Sequence, residues 1–410
     1  MVNEPGMLAI DGQIPDQLLV PDNADQVAGI LKGASGAHLA VVALGGGTKL
    51  ELGAPLEHAS LVVSLKNLNR VLDYQPANLT VRAEAGLTLA ALNQILATEG
   101  QYLPLDPPCP ARATLGGILA ANASGPQRVR YGTARDLLIG IRVALADGQI
   151  VRGGGQVVKN VAGYDLPKLF VGSLGTLGII VEATFKLAPL PKKTGTLLAS
   201  FRELEHTCRV ASRVLTSPLL PLSIEFLNPE ASTKFGMGNH PILAIRFGGI
   251  DSEVQRQLSD VNRWSREGDS LGVEIMKNDT AFWDRVRDFP AENRVVVKVG
   301  VLPSRIGETG QAAEEIARRN GLSCSFCAHA VGILFIALEG EDSRIAKVIG
   351  EIGQVAIAMR GHFMIQSAPR ALRESTDVFG PRRDDWVYMR KIKHELDPNS
   401  ILNPGRLEVG

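Results

Sequence analysis

Nothing in these 410 residues marks a nucleic-acid binder, a membrane-spanning chain or a disulfide scaffold. Lys+Arg and Asp+Glu each total 43, so the formal charge is zero. A nucleic-acid-binding chain normally shows a basic excess or a basic run, and neither is present. No run of 18 or more apolar residues occurs, so no membrane-spanning helix is expected. The start MVNEPGMLAIDGQ lacks a basic n-region and an apolar stretch and does not read as a secretory leader; the expected location is the cytoplasm. Four cysteines, at 109, 208, 324 and 327, are too few for a disulfide framework. Only Cys324 and Cys327 have CxxC spacing. A zinc or iron–sulfur site normally needs four such ligands, so the pair reads as two ordinary strand cysteines. There is no G-x-G-x-x-G, no triphosphate loop, and no nucleophile elbow around Ser173.

What remains is a globular composition, 45% hydrophobic and 21% charged, in a chain too long for one compact core. Its pattern predicts an α+β fold in two or more parts. Asp22 precedes an amphipathic run through Leu31 and reads as a helix N-cap. Ala40–Leu44 and Leu61–Leu65 read as short strands. Val71–Tyr74 and Thr80–Glu84 read as a hairpin, and Leu89–Glu99 as a helix stopped by Gly100. A second subdomain begins near residue 105. It holds a Gly/Ala-rich helix over Leu115–Ala123, a hairpin turned by Ala146-Asp147-Gly148, and a strand over 179–187. The Pro-rich, charged stretch Ala188–Lys193 marks the domain boundary. Beyond it, to about residue 365, strands alternate with helices, which predicts a sheet, taken as antiparallel, with helices on one face. Residues 366–410 form a Gly/Pro-bearing tail.

Three glycine-rich segments carry the candidate chemistry. Gly45, Gly46 and Gly47 follow a strand, where glycine lets the backbone turn sharply and its amides line a concave anion site, with Thr48 adding a hydroxyl. Thr114 precedes Gly116 and Gly117 at a helix start, where first-turn amides are expected to be free for an anion; Asn122, Ser124 and Gly125 close that run. In the third segment Gly175 and Gly178 sit near Ile180 in VGSLGTLGII, preceded by Lys159, Asn160, Tyr164 and Asp165. Each segment alone has a structural alternative: a turn, close helix packing, or ordinary loop hydrogen bonding.

Taken together, in this order and spacing, the segments resemble the FAD-binding family of the vanillyl-alcohol oxidase and p-cresol methylhydroxylase type, over roughly residues 15–187 plus the tail. The resemblance implies a two-part FAD-binding domain over 1–187, an α+β cap over 188–365 and a tail over 366–410 that returns to the flavin. Gly45–Thr48 and Thr114–Gly117 would bind the FAD diphosphate. VGSLGTLGII would wall the cofactor, with Leu174 where the family usually has Glu. In LDPNSILNPGR, Arg406 would be the charged contact. The run KNVAGYDLPKLFVGSLGTLG resembles the smaller flavin-binding subunits of bacterial glycolate oxidases. That group implies a larger homologous flavin subunit and an iron–sulfur subunit as partners, a small 2-hydroxy acid as substrate, and membrane association only through partners.

Departures from the family pattern shape the remaining expectations. Relatives that oxidise 2-hydroxy acids carry H-x-G-D-G-N-x-H in the cap; here Cys327–Leu334 retains only His329, so no cap metal is expected. The first glycine loop has no His, the family's usual flavin tether, so non-covalent FAD is expected. Lys159, Tyr164 and Arg406 are weak catalytic candidates, and no convincing base is visible. Two roles remain open, an accessory flavin subunit and a dehydrogenase in its own right. A chain that has lost flavin, or a reductase using a nicotinamide route, fits the intact glycine loops less well.

Overall fold

The computed structural model describes residues 9–155, 166–276, 278–381 and 383–407. The chain divides into two compact units, one of residues 1–124, 132–190 and 381–410, the other of residues 125–131 and 191–380.

The first unit opens with β1 (Gln17–Leu19), α1 (Ala24–Gly36), β2 (Val41–Leu44) and β3 (Leu61–Ser64). The strands form a parallel sheet in the order β1-β3-β2. The helix is capped by Asn23, whose side chain accepts from Gln26 N. Asp22, expected to be the cap, instead accepts from Asn67 Nδ2. Both have the short polar side chain that capping requires, so the pattern is ambiguous by one position. Next come β4 (Val71–Gln75), β5 (Thr80–Glu84), α2 (Leu89–Leu96), β6 (Gln101–Tyr102) and α3 (Leu115–Ala121). The short α4 (Arg128–Tyr131) belongs to the second unit. The first unit resumes with α5 (Ala134–Leu137), β7 (Leu138–Ala144), β8 (Ile150–Gly154), α6 (Leu166–Phe170), β9 (Ile179–Lys186) and β10 (Ala188–Pro189).

The 71–84 hairpin does not join the parallel sheet that it follows in sequence. It pairs with β9 in a five-stranded antiparallel sheet, β4-β5-β9-β7-β8. The reason is that apolar residues alternate with polar ones along β5 and β9. Val81, Ala83, Val181, Ala183 and Phe185 are all 0–1% exposed and share a core with Leu31 of α1 and Ile118 and Leu119 of α3. Full burial of each valine or phenylalanine contributes on the order of 2 kcal/mol. A one-residue slip would turn all of them outward, so this register is strongly fixed.

The second unit runs through β11 (Lys193–Ser200), α7 (Leu204–Leu215), β12 (Pro221–Leu227), α8 (Pro229–Lys234), β13 (Ile242–Gly249), α9 (Asp251–Glu267), β14 (Gly272–Met276) and α10 (Thr280–Glu292). It continues through β15 (Val296–Gly300), α11 (Ile306–Arg319), β16 (Ser323–His329), β17 (Ile333–Glu339), α12 (Asp342–Ala358), β18 (His362–Ser367) and α13 (Arg370–Ser375). Its strands form one antiparallel eight-stranded sheet, β14-β11-β13-β12-β16-β17-β15-β18. Helices cover both faces, not one as expected. At Gly195 of β11 an added Cβ would lie 2.8 Å from Leu258 of α9, whereas the next residue, Thr196, accepts from Trp283 Nε1 of α10 at 2.7 Å. Pro290 inside α10 obscures that helix in the sequence. Cys324 and Cys327 lie buried in β16 as free thiols, their pKa pushed up by burial.

From residue 381 onward the tail belongs to the first unit, whereas residues 366–380, expected to be part of it, lie in the second. After α14 (Trp386–Leu396), Val41 N donates to Ile401 O at 2.7 Å and Asn403 N to Val41 O at 2.9 Å. Leu402 thereby pairs in parallel with Val41 along the free edge of β2.

Candidate cofactor site

The first unit contains a cleft enclosing about 830 Å³ of atom-free space, its open mouth included. Four stretches of chain line it: the loop after β2, the start of α3, the turn before β9, and the tail.

The loop after β2 rests directly on the segment leading into α3. A Cβ at Gly46 would overlap the carbonyl oxygen of Arg112, and one at Gly45 would overlap Thr114 Oγ1. Arg112 Nη2 returns a hydrogen bond to Gly46 O at 3.4 Å. Glycine is therefore needed here for the contact between two protein loops, before any ligand is considered. The amides of Gly45, Gly46, Gly47 and Thr48 donate to no group among the described residues. Four successive N–H groups without acceptors, at the rim of a cleft, form an anion-binding concavity.

The start of α3 differs from expectation. Leu115 N donates to Leu87 O at 2.9 Å, Gly116 N to Ala85 O at 2.8 Å, and Gly117 N to the capping Thr114 Oγ1 at 3.3 Å. Its first-turn donors are thus engaged by the protein, and only the helix dipole is left to favour an anion. Gly116 lies against Ala85, where a Cβ would come within 2.9 Å of that side chain. At Gly117 an added Cβ would meet only Thr114 Oγ1, at 3.2 Å, and otherwise points into open space.

The third wall is a left-handed pair, Leu174 (φ 52) and Gly175 (φ 71). Leu174 N donates to Ala120 O, and Leu174 O accepts from Asn403 Nδ2 at 2.7 Å, so α3 and the tail fix this turn from two sides. Lys393 ties it to the tail a second time. Its Nζ donates to Thr176 O at 2.8 Å and Leu402 O at 3.1 Å and pairs with Asp397. Burial dominates in pulling the Lys393 pKa below its usual value, against the raising effect of Asp397. Fully buried Asp397 also accepts from Ile401 N at 3.0 Å and Leu402 N at 2.8 Å.

Of the residues expected at the site, Gly45, Gly46, Gly47, Thr48, Thr114, Gly116, Gly117, Gly175, Gly178, Ile180 and Arg406 line this one cleft. Asn122, Ser124 and Gly125 are not among its lining residues. Asn122 ends α3 in a left-handed conformation, and Gly125 belongs to the second unit. Arg406 is only 5% exposed; it pairs with Asp11 at 2.8 Å and donates to Ala54 O and Leu50 O. Its charge is paired inside the protein and its side chain ties the tail to the loop, at the wall of the cleft where a charged contact was expected. Lys159, Asn160, Tyr164 and Asp165 lie outside the described residues. Lys49, Leu50, Leu65, Ala120 and Asn403 also line the cleft and went unassigned in the sequence. Asn403 had a signal, since Asn-Pro-Gly marks a tight turn.

Comparison with known proteins bears on what the cleft holds. Residues 15–154 match the family described as "FAD binding domain", and residues 380–407 match "FAD linked oxidases, C-terminal domain". These matches include the first glycine loop, the start of α3 and the returning tail. The chain thus carries an FAD-binding domain over residues 15–154 and a segment of the FAD-linked oxidase type over residues 380–407. As an FAD-linked oxidoreductase it resembles the glycolate oxidase subunit GlcD of Bacillus subtilis (strain 168), at 29% identity over 96% of this chain and 89% of that one. It also resembles the mitochondrial D-lactate dehydrogenase [cytochrome] of Arabidopsis thaliana, at 27% identity over 96% of this chain and 73% of that one. In fold it is similar to p-cresol methylhydroxylase, with a TM-score of 0.74 and 16% identity over 96% of this chain and 89% of that one. The cofactor of this FAD-linked chain is FAD. The cleft suits it: the acceptor-free amides match a diphosphate, and Leu50, Leu52, Leu65, Ile179 and Ile180 offer apolar walls to flat rings.

In the second unit, His329 Nδ1 lies 2.5 Å from Glu225 Oε1, with both side chains buried. Burial dominates in raising the Glu225 pKa, opposed by His329 and, more weakly, Arg128. His329 Nε2 and Glu225 Oε2 have no hydrogen-bond partner among the described residues. The acid stands 104 residues from the histidine in sequence and is brought beside it by the pairing of β12 with β16. Among the described residues, no three His, Cys, Asp or Glu side chains are grouped to hold a metal ion. No helix among them is long and apolar enough to cross a membrane.

Proposed function

We propose that this flavoprotein holds FAD non-covalently, with its diphosphate on the amides of Gly45–Thr48, and serves in the oxidation of a small 2-hydroxy acid, glycolate first among them. The acceptor-free amide row is the observation that carries the cofactor placement. When bound, FAD supplies the two-electron acceptor for an alcohol carbon. The protein's part is to hold the diphosphate, exclude water with the apolar walls, and fix the turn at Leu174–Gly175 through Asn403 and Lys393. The substrate class rests on relatives named for glycolate and D-lactate. We read the chain as a subunit that works with a larger homologous flavin subunit and an iron–sulfur subunit. The reduced cap motif favours this over a stand-alone dehydrogenase, because one histidine and one acid cannot reproduce a multi-ligand centre. The unpartnered Nε2 of His329 is the observation that favours the stand-alone alternative.

A visible spectrum of the purified chain, before and after anaerobic addition of glycolate, tests the proposal. The expected result is an oxidised flavin spectrum that glycolate alone leaves unchanged and that bleaches once the partner subunits are added. Bleaching of the isolated chain would establish the stand-alone alternative. Failure to take up added FAD would overturn the placement of the cofactor.

A further inference from the structure

The antiparallel sheet of the first unit carries a second cavity, away from the glycine-lined cleft. It holds about 500 Å³ of atom-free space, its open mouth included, and is lined by Arg82 of β5, Arg142 of β7, Arg152 of β8 and Glu182 of β9, over the bare backbone of Gly153, Gly154 and Gly155. The register explains the grouping. Arg142 stands directly opposite both Arg152 and Glu182, and Arg82 is diagonal to Glu182 across the β5–β9 pair. Three guanidinium groups and one carboxylate therefore line one cavity. Glu182 pairs with Arg142 through Oε1 and with Arg82 through Oε2 at 3.3 Å. Arg152 has no ion pair among the described residues, although it stands opposite another arginine. Like charges placed opposite each other across a strand pair are destabilising, and this cluster keeps an excess of two positive charges. Two of its donors, Arg82 Nε and Arg142 Nε, are buried without an acceptor. An arrangement that serves only stability would match its charges and satisfy its buried donors.

We propose that this cavity is a binding site for a small dianion, of the phosphate-monoester or dicarboxylate class. Such a ligand neutralises the two excess charges. Guanidinium forks recognise its oxygens with paired, charge-assisted hydrogen bonds. Glu182 orients two of the arginines and sets the affinity, because it competes with the ligand for them. The site is independent of the flavin cleft, and its proposal does not rest on the function assigned to that cleft.

The test uses FAD-loaded protein, so that the diphosphate site is filled, and titrates inorganic phosphate or malonate against chloride at fixed ionic strength. Binding is followed by calorimetry and by melting temperature. The expected result is saturable binding of at least one of the two, with the tighter binder identifying the source of the dianion. Arg152→Gln weakens it at least about tenfold, the equivalent of one charge-assisted hydrogen bond. It does not lower melting in chloride, since Arg152 is exposed, makes no ion pair among the described residues and stands opposite the like charge of Arg142. Glu182→Gln, which removes the competing carboxylate, tightens binding by about the same factor. Binding that is equal in wild type and Arg152→Gln, marking an adventitious ion only, or no saturable binding of either dianion, overturns the proposal.

Discussion

Gly45–Thr48 and Thr114–Gly117 look alike in sequence, each pairing glycines with a threonine, yet the structure gives them opposite roles. The first follows a strand and leaves four successive amides without acceptors. The second opens a helix whose first three amides are all engaged, two by the 85–87 backbone and one by its own capping threonine. A helix N-terminus offers donors only where neighbouring chain has not already taken them. The second segment is better described as the bed on which the first is laid. Arg112 and Thr114 touch Gly46 and Gly45 so closely that neither position tolerates a side chain. The anion site is thus made by one loop and shaped by the other.

Substitutions can break this comparison. Gly46→Val should have the largest effect, because its Cβ meets the Arg112 backbone. The expected loss is on the order of 3 kcal/mol of stability, with flavin lost as a consequence of the displaced loop. Chemical denaturation of the flavin-free protein checks it. An unchanged midpoint would show that the loops do not bear on each other. Gly117→Leu separates ligand from fold. Its side chain enters the cleft with only Thr114 Oγ1 nearby, so FAD affinity should fall about a hundredfold while apo stability stays within about 1 kcal/mol. Fluorescence titration with FAD and a melting curve read the two quantities apart. Thr114→Ala removes the cap and should cost about 1 kcal/mol, but shift FAD affinity less than Gly117→Leu does. If affinity instead collapsed, the helix would hold the anion after all.

The smallest effect concerns the second unit, where buried side chains rather than backbone amides hold the unusual chemistry. Burial raises the pKa of Glu225 in the folded chain, so the folded state keeps that proton more tightly than the unfolded state. This contribution favours folding below the ordinary glutamate pKa and diminishes as pH rises through the folded value. Glu225→Gln should therefore flatten the stability profile upward from the ordinary glutamate range, as read from urea midpoints at a series of pH values. A profile identical to wild type would mean that Glu225 ionises in the folded chain as readily as in the unfolded one.

The glycine segments were legible in the sequence because positions such as Gly45, Gly46 and Gly175 admit no other residue, and the order of the segments along the chain is specific. Most strands were legible as short apolar, β-branched runs, which is what strands buried along nearly their whole length require; β9, β12, β16 and β17 are examples. What stayed hidden depends on long-range pairing. That the 71–84 hairpin joins β9, that Glu225 meets His329, and that Arg406 is neutralised by Asp11 are all consequences of register and packing that no local pattern encodes. The exposed β14 and the proline-bearing α10 were hidden for a different reason, since each departs from the periodicity that identifies its class.

The pairing of Leu402 with Val41 carries a consequence for how the protein is made. The flavin cleft takes one wall from the loop after β2 and another from residues 403–406, some 360 positions later in synthesis. The glycine loop emerges from the ribosome early, but the edge of its sheet and the turn at Leu174 wait for the tail to arrive. The cleft is thereby complete only once translation has passed the second unit, and a chain interrupted there would be left with an open strand edge and one wall missing.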